Sequence, residues 1–405
     1  MEATKQTKMT KEDLHLSWKD KLNIIRDNRY FLMLFPIVML AVMILIFGVA
    51  TAGRFFKLSV MKGILSQAII IGTCATGVAF IYSNGNLDIS IGAVLGLAAT
   101  LGVKAYNVTQ SVVVMILATV AVALGLMAFN CTMSVVCNIK TINVAIVVTQ
   151  IYGAISTLLI GGSGKIDLDM SVAAMLEDGG FRYVAFFGYF IFCVVIYHFT
   201  RVGRELRFLG GNENCAAQTG ISNSRATYIS FLMTGVGVGL AAVFSVINVS
   251  AVSVETGSGL GMDVMLATVL GGMSIFGGSR SNAYAGLLGA LTVAALNKGL
   301  LMVGVSSAFI QGIRGVIFLL LVWMNSERQN LLPSRVQVLF PTAKLYIGCL
   351  APLNTHEKQI QRRKHHEKEQ TVPVRAFADA GWRHADRLRQ LRFLHCSFHR
   401  RLYRQ

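Results

Sequence analysis

Charged residues are scarce in this 405-residue chain, where Asp, Glu, Lys and Arg together make up only 14%. Soluble domains carry about 25% of these residues, whereas here 54% of the residues are hydrophobic. Proline is equally rare, since the region from Tyr30 to Trp323 contains only Pro36. So few charges and so few helix-breaking residues argue against a soluble globular protein and indicate that lipid is the solvent.

Several functional motifs are also missing. The seven cysteines form no C-x-x-C pair and at least four lie within apolar runs, so we expect free thiols rather than disulfides or metal ligands. No G-x-x-x-x-G-K-[ST] sequence occurs, which argues against ATP hydrolysis by this chain. The apolar runs contain neither metal-ligand spacing nor a nucleophile–base pair. We therefore expect a protein without a catalytic site, metal or cofactor of its own.

What the sequence does contain is a series of long apolar runs. A helix that crosses a bilayer needs about 20 mostly apolar residues, and most of the runs approach that length. The chain is therefore predicted to be an all-α polytopic membrane protein with about ten transmembrane helices, or eight to ten if the shorter runs do not cross. The runs lie near residues 30–50, 60–82, 88–106, 111–137, 142–162, 181–199, 226–247, 262–277, 284–303 and 308–324.

The charges of the loops predict how the chain is oriented. Residues 1–29 carry seven Lys or Arg, which places the N-terminus in the cytoplasm. Counting ten spans from there puts Lys140, the 200–225 loop and Arg280 inside, and the acidic loop around residues 167–178 outside. Spans two to five and seven to ten then start from opposite sides of the membrane, as an inverted-repeat bundle requires. The first apolar run follows a hydrophilic stretch and lacks a small-residue cleavage site, so we expect it to remain as an anchor.

The two ends of the chain differ from the apolar region at 30–325. In residues 1–29, Leu14, Trp18, Leu22 and Ile25 recur at helical spacing, which predicts either an interfacial helix on the inner leaflet or a helix packed on the ends of the spans. Residues 326–405 are expected to form a basic cytoplasmic tail, either a disordered extension or a non-native one that results from a shifted reading frame. Such charge favours contact with anionic membrane lipid, and no motif accompanies it that would favour nucleic acid.

The segment from Gly210 to Ile221 carries the most specific signal. It reads GGNENCAAQTGI and follows Arg201, Arg204 and Arg207. It resembles the coupling loop of ABC importer permeases of the ribose-transporter type, in which a GGN-x-x-A-A-x-x-x-G-I pattern docks on the ATP-hydrolysing subunit. We call residues 200–225 the coupling segment. The resemblance assigns the ATPase contact to Gly210, Gly211, Asn212, Glu213, Ala216, Ala217 and Gly220.

Three further blocks resemble segments of the same permeases, and all four blocks occur along this chain in the order that the family shows. Residues 84–97 resemble a G-G-I-D-L-S-V-G signature, with Asn86 in place of the second Gly. Residues 269–278 resemble V-L-G-G-T-S-L-F-G-G, with Met273 in place of Thr. Residues 297–307 resemble a terminal L-N-N-G-L-N-L-L-G-V-S-S block. The glycines of the first two blocks are expected to allow broken or re-entrant helices; they are Gly85, Gly271, Gly272, Gly277 and Gly278.

Polar residues at the edges of the apolar runs or inside them are candidates for contact with a solute. Asp88 either lines water or a pocket at a helix break, or caps the third span. The amides inside the spans either meet sugar hydroxyls or form hydrogen bonds between helices. Lys298 either snorkels or pairs with Glu255 or Asp263. The pathway candidates are Asn86, Asp88, Ser90, Asn130, Asn143, Gln150, Asn248, Ser274 and Asn297.

The resemblance implies a permease subunit of an ABC importer for a monosaccharide in a bacterial cytoplasmic membrane. It also implies a cytoplasmic ATPase that binds ATP and magnesium, an extracytoplasmic sugar-binding protein, and a second permease copy, identical or paralogous. A permease of the same superfamily for a branched-chain amino acid, a nucleoside or a signalling furanose remains open. An ion-coupled secondary transporter is the alternative from another class, although Asp88, Glu255 and Asp263 lie at span edges rather than as mid-membrane pairs.

Overall fold

Helices make up nearly all of the regular structure in a computed structural model of the chain. The structure describes residues 29–326, apart from 179, 275, 276, 279, 280 and 282–284. In lipid, helices satisfy the backbone hydrogen bonds within one segment, so long apolar runs fold in this way. The helices are α1 Arg29–Ala50, α2 Leu58–Ser83, α3 Ile91–Thr109, α4 Val112–Val136, α5 Thr141–Ile160, α6 Met170–Asp178, α7 Phe181–Phe199, α8 Arg201–Gly211, α9 Glu213–Gln218, α10 Asn223–Val249, α11 Leu260–Leu270, α12 Ala285–Val303 and α13 Ser307–Ser326.

The predicted all-α polytopic class is confirmed. Among the described residues, seven helices are long and apolar enough to cross a membrane, namely α2, α3, α4, α5, α7, α10 and α12. Three shorter apolar stretches, Pro36–Ala50, Leu260–Leu270 and Ser307–Val322, correspond to the other three predicted runs. The number of spans stays a prediction. The run predicted at 262–277 yields only the 11-residue α11, because the helix ends just before Gly271 and Gly272.

Helix α2 lies at the centre of the bundle. Of the residues in its most apolar 18-residue stretch, 89% are buried. Glycines allow its neighbours to approach closely: a Cβ on Gly77 would lie 2.9 Å from the Cα of Thr234 in α10. The Thr234 hydroxyl donates a hydrogen bond of 2.9 Å to the Gly77 carbonyl at this crossing. Close contact of this kind holds helices together where lipid removes the hydrophobic drive between them.

Helices α4, α5 and α7 are the least covered of the seven long apolar helices. Only 22–28% of the residues in their most apolar stretches are buried. Their exposed side chains are largely apolar, such as Val113, Leu158 and Phe187. The apolar residues exposed on these helices therefore suit contact with lipid or with another apolar protein surface.

The loops that close the bundle fall into two groups. Strand β1 (Lys165–Asp167) pairs with strand β2 (Ala251–Ser253) in an antiparallel ribbon, with Ile166 opposite Val252. The ribbon joins the α5–α6 and α10–α11 loops, which alternation along the chain places on the same outer face. The coupling segment lies at the opposite ends of α7 and α10.

The predicted helix in residues 1–29 and the basic tail fall almost wholly outside the described residues, and both stay predictions.

Because Cys215 is exposed on α9, its reactivity reports the side of the membrane on which the coupling segment lies. In a variant with Cys215 as its single cysteine, a membrane-impermeant maleimide should label inside-out vesicles and spare intact cells. A matched variant with Ser163→Cys, in the exposed α5–α6 loop, should show the reverse. Labelling of Cys215 in intact cells would contradict the orientation.

Candidate functional site

The coupling segment begins with the amphipathic helix α8. Gly203, Leu206 and Leu209 face the bundle and are buried, whereas Arg201 and Arg204 are exposed. The spacing of three residues puts the buried positions on one helical face. Helix α8 therefore lies across the ends of the spans rather than within them.

Two glycines seat α8 against the bundle. A Cβ on Gly203 would overlap the backbone of Tyr197 at the end of α7. A Cβ on Gly210 would overlap the carbonyl oxygen of Ser83 and lie 2.6 Å from the backbone nitrogen of Gly278. Gly211, in contrast, has no atom within 4 Å of its Cβ position. Helix α8 thus contacts the ends of α7 and α2 and the loop after α11 at van der Waals distance.

The short helix α9 projects from this support. Its start is fixed by Asn212, whose side chain accepts a hydrogen bond of 3.1 Å from the backbone N–H of Cys215. Ala216 is fully buried, while Glu213, Cys215 and Ala217 are exposed. Gly220 has a φ of 84°, a left-handed conformation that suits glycine and turns the chain toward α10. Helix α9 therefore offers a small, mostly polar surface at the edge of the protein.

The chain between α2 and α3 is not helical. Gly85 has a φ of 75°, and Asn86 accepts a hydrogen bond of 3.1 Å from Thr141 of α5. Asp88 is 1% exposed, and its Oδ1 accepts a hydrogen bond of 2.7 Å from the backbone N–H of Ser90. Its Oδ2 has no hydrogen-bond partner among the residues that the structure describes. Asp88 thus caps the turn before α3 with one carboxylate oxygen and buries the other without a hydrogen-bond partner among the described residues.

A chain of hydrogen bonds connects this break to α4 and α5. The amide of Asn130 donates to the Ser90 hydroxyl at 2.9 Å, and the Tyr152 hydroxyl donates to Oδ1 of Asn130 at 2.8 Å. All three side chains are buried. Ser90 and Asn130 are sequence candidates, whereas Tyr152 carries no sequence signal because it lies on the apolar buried face of α5.

A second break precedes α11. Gly257 and Gly259 have φ angles of 84° and 73°. A Cβ on Gly257 would overlap the carbonyl oxygen of Gly92, and a Cβ on Gly96 would lie about as close to that of Thr256. The first turn of α3 therefore touches the turn that leads into α11. Only glycine permits this approach, so the two broken helices meet at their N-terminal ends.

Near this meeting point, three helices share a buried ionic cluster. Asp263 of α11 lies 3.1 Å from the Arg314 guanidinium of α13 and accepts a hydrogen bond of 3.1 Å from Asn297 of α12. Arg314 also donates to the Asn297 side-chain oxygen at 2.9 Å. Asn297 is thus held by its neighbours. The sequence alternative of a Lys298–Asp263 pair is wrong, because the ion partner is Arg314 and the Lys298 ammonium lies near Gly63 of α2.

Three of the four remaining pathway candidates are exposed. Asn143 and Gln150 are on the exposed side of α5, and Asn248 is exposed near the end of α10. Ser274 is half-buried in the loop after α11. Of the loop glycines, Gly271 ends α11, and Gly272, Gly277 and Gly278 have φ angles of 88°, 74° and 99°. Among the described residues, the sequence candidates are thus divided between the break before α3, the Asp263 cluster, the exposed side of α5, the end of α10 and the loop after α11.

Comparison with known proteins places this architecture in a family. Residues 60–322 match the family model described as branched-chain amino acid transport system / permease component. The chain belongs to this permease family. It is therefore a multi-pass transport protein of the cell membrane, as its apolar helices indicate.

The curated relatives are similar over most of their length. The ribose import permease protein RbsC of Escherichia coli K12 is 26% identical over 300 residues, which cover 72% of this chain and 93% of the relative. The autoinducer 2 import system permease protein LsrD of Photorhabdus temperata is 26% identical over 326 residues, covering 73% of this chain and 96% of the relative. No solved structure matches the chain.

The two adjacent glycines of α8 provide a test of how the coupling segment is seated. Gly210→Ala should displace α8 from Ser83 and lower the melting temperature of the purified permease, because the new methyl group overlaps backbone. Gly211→Ala should leave it unchanged or raise it slightly, because alanine favours a helix by about 1 kcal/mol and the space is empty. Equal melting temperatures for the two variants would contradict the contact between α8 and α2.

Proposed function

We propose that this chain is the membrane-spanning subunit of an ATP-binding-cassette importer that carries a monosaccharide, ribose-like or related, into the cell. ATP and magnesium bind to a separate cytoplasmic ATPase, and the permease converts the work of that subunit into movement of solute. An extracytoplasmic binding protein delivers the sugar to the outer face, where the β1–β2 ribbon and α6 lie.

The observation that carries this proposal is the arrangement of the coupling segment. Helix α9 is exposed on its outer side, and α8 anchors it to the ends of α2 and α7 through Gly210 and Gly203. A partner that moves α9 therefore acts directly on the central helix of the bundle. A solvent-exposed loop without these anchors would bind a partner without moving the spans.

The choice of substrate rests on the relatives and on the chemistry of the interior. Two import permeases of similar sequence are named for ribose and for autoinducer 2. The polar groups near the breaks are mostly neutral amides and hydroxyls, which exchange hydrogen bonds with sugar hydroxyls in either direction. Asp88 adds one acceptor with an unpartnered oxygen. A signalling furanose is the second candidate, because the autoinducer 2 permease is equally similar.

The proposed path lies between two copies of the chain. Asn143, Gln150 and Thr157 recur every seven residues on α5, and all three are exposed. Residues at this spacing lie on one face of a helix. Amide side chains inside a membrane segment rarely face lipid, since polar groups without partners are costly there. We infer that this face of α5 faces a second permease copy across a hydrated path.

Reconstitution with the cognate ATPase and binding protein tests the function, and Ala217→Arg tests the docking surface. Ala217 is exposed on α9, so arginine there should block the ATPase by bulk and charge without affecting membrane insertion. The variant should lose ATPase co-purification and ATP-dependent uptake of radiolabelled ribose into liposomes.

Cys137→Arg is the matched control, because it adds the same side chain to an exposed position in the α4–α5 loop on the same membrane face. It should retain both activities. Normal co-purification of the Ala217→Arg variant would contradict the docking assignment. Uptake by the permease alone, driven by an ion gradient and indifferent to ATP, would contradict the importer itself.

Cross-linking tests whether α5 faces a second copy. In a background without other cysteines, Gln150→Cys should form dimers in membranes when treated with a bifunctional thiol-reactive cross-linker long enough to span the path, because the two α5 helices face each other across it. Phe187→Cys, equally exposed on α7, should remain monomeric. If the α7 variant cross-links and the α5 variant does not, the path lies on a different face.

A further inference from the structure

A hydrogen-bonded cluster around Tyr197 connects the coupling segment to the break that holds Asp88. Tyr197 is fully buried near the end of α7. Its hydroxyl lies 2.7 Å from the hydroxyl of Ser83 and donates a hydrogen bond of 2.9 Å to the carbonyl oxygen of Ser281. These two contacts reach the last residue of α2 and the loop after α11. One side chain thus bridges three elements that are distant in sequence.

The coupling segment holds the other side of the Tyr197 ring. The guanidinium carbon of Arg207 lies 5.3 Å from the ring centroid, within the distance of a cation–π contact. Arg207 is itself fixed, because its Nε donates to the carbonyl of Gly203 at 3.1 Å within α8. Phe80 of α2 also packs against this ring, edge-on at 5.4 Å between centroids. A shift of α8 therefore acts on the ring of Tyr197 through Arg207.

Ser83 is the point at which these contacts converge. Its hydroxyl meets Tyr197, and its carbonyl oxygen touches Gly210 of α8. The same carbonyl accepts a hydrogen bond of 3.4 Å from the backbone N–H of Gly278. The helix ends at this residue, and the non-helical stretch that contains Asp88 begins at the next one. A displacement at Ser83 is thus passed into the break over five residues.

We propose that Tyr197 is a positioning residue for transport: its hydroxyl transmits movement of α8 to the end of α2 and so to the buried polar break before α3. The inference rests on the proposed importer function and names a residue that the sequence motifs do not contain. Tyr197 lies outside the exposed surface of α9, so it acts after the ATPase has bound and not in the binding itself.

Tyr197→Phe isolates this role, because it keeps the ring contacts with Arg207 and Phe80 and removes only the hydroxyl. In the reconstituted complex, the ATPase subunit should still co-purify and the basal hydrolysis rate should be unchanged. Stimulation of hydrolysis by the loaded binding protein, and sugar uptake per ATP, should fall about 5- to 30-fold, as expected for the loss of one or two buried hydrogen bonds.

Tyr189→Phe is the matched control. Tyr189 lies on the same helix and is also buried, and its hydroxyl donates 2.9 Å to the Met233 carbonyl, away from α8. It should keep full stimulation. Ser83→Ala removes the same contact from the other side, so combining it with Tyr197→Phe should add little to either single change.

The outcomes separate the two proposals. If the wild-type complex shows no stimulation by the binding protein and no ATP-dependent uptake, the importer function fails. If the wild type responds and Tyr197→Phe behaves like Tyr189→Phe, the transmission role is overturned. It is also overturned if Tyr197→Phe loses the ATPase, because the hydroxyl would then only hold the docking surface in place.

Discussion

Close contact between backbones at glycine is the interaction on which the rest of this structure depends. Inside a bilayer, apolar side chains gain little by leaving lipid for one another, so helices associate where their surfaces approach closely. In this chain a Cβ on Gly289 of α12 would overlap the carbonyl of Ala267 in α11, and one on Gly286 would lie 2.8 Å from the Cβ of Ala75 in α2. These contacts tie the C-terminal helices to the central α2.

The same close approach of backbones stabilises the two breaks in the helices, before α3 and before α11. Where α3 and α11 begin, backbone groups lose their helical partners, and unsatisfied groups in a lipid environment are costly. At these breaks the backbones pack closely at Gly92 and Gly257. Buried networks of charged and amide side chains lie beside them. The Asp263–Asn297–Arg314 cluster holds a buried carboxylate beside a cation, and removal of one partner from such a pair typically costs about 3–5 kcal/mol. The break before α3 differs, since Asp88 has no cation beside it among the described residues and keeps one oxygen unpartnered. The Asp263–Asn297–Arg314 cluster therefore suits a structural role, and in the proposed function the break at Asp88 is the one that meets the solute.

The helices could be predicted from sequence because apolar length is a local property, and the termination of α11 follows from Gly271 and Gly272. Helix α6 and the β1–β2 ribbon could not, because both are short, and the ribbon depends on a partner more than 80 residues away, as in the pairing of Ile166 with Val252. The site shows the same division. Asn130 and Asp88 stand out as polar residues in or beside apolar runs, whereas Tyr152 and Tyr197 look like ordinary apolar positions until their hydroxyls find Asn130 and Ser83. Lys298 is the reverse case. Its charge stands out in the sequence as a partner for Asp263, but the structure pairs Asp263 with Arg314 instead.

The position of α2 explains how a partner at the membrane surface acts on the interior in the proposed cycle. Helix α2 is mostly buried, so its neighbours restrain sideways movement. A displacement at one end is therefore transmitted along its axis better than in the exposed helices α4, α5 and α7. Its end at Ser83 receives the contacts of α8 and Tyr197, and the non-helical break starts one residue later. In the proposed cycle the break is the part of this route that changes shape most readily, because a positive-φ glycine and non-helical backbone replace the helical hydrogen bonds there. A small displacement of the coupling segment is therefore concentrated at Asn86, Asp88 and Ser90, where α3 begins.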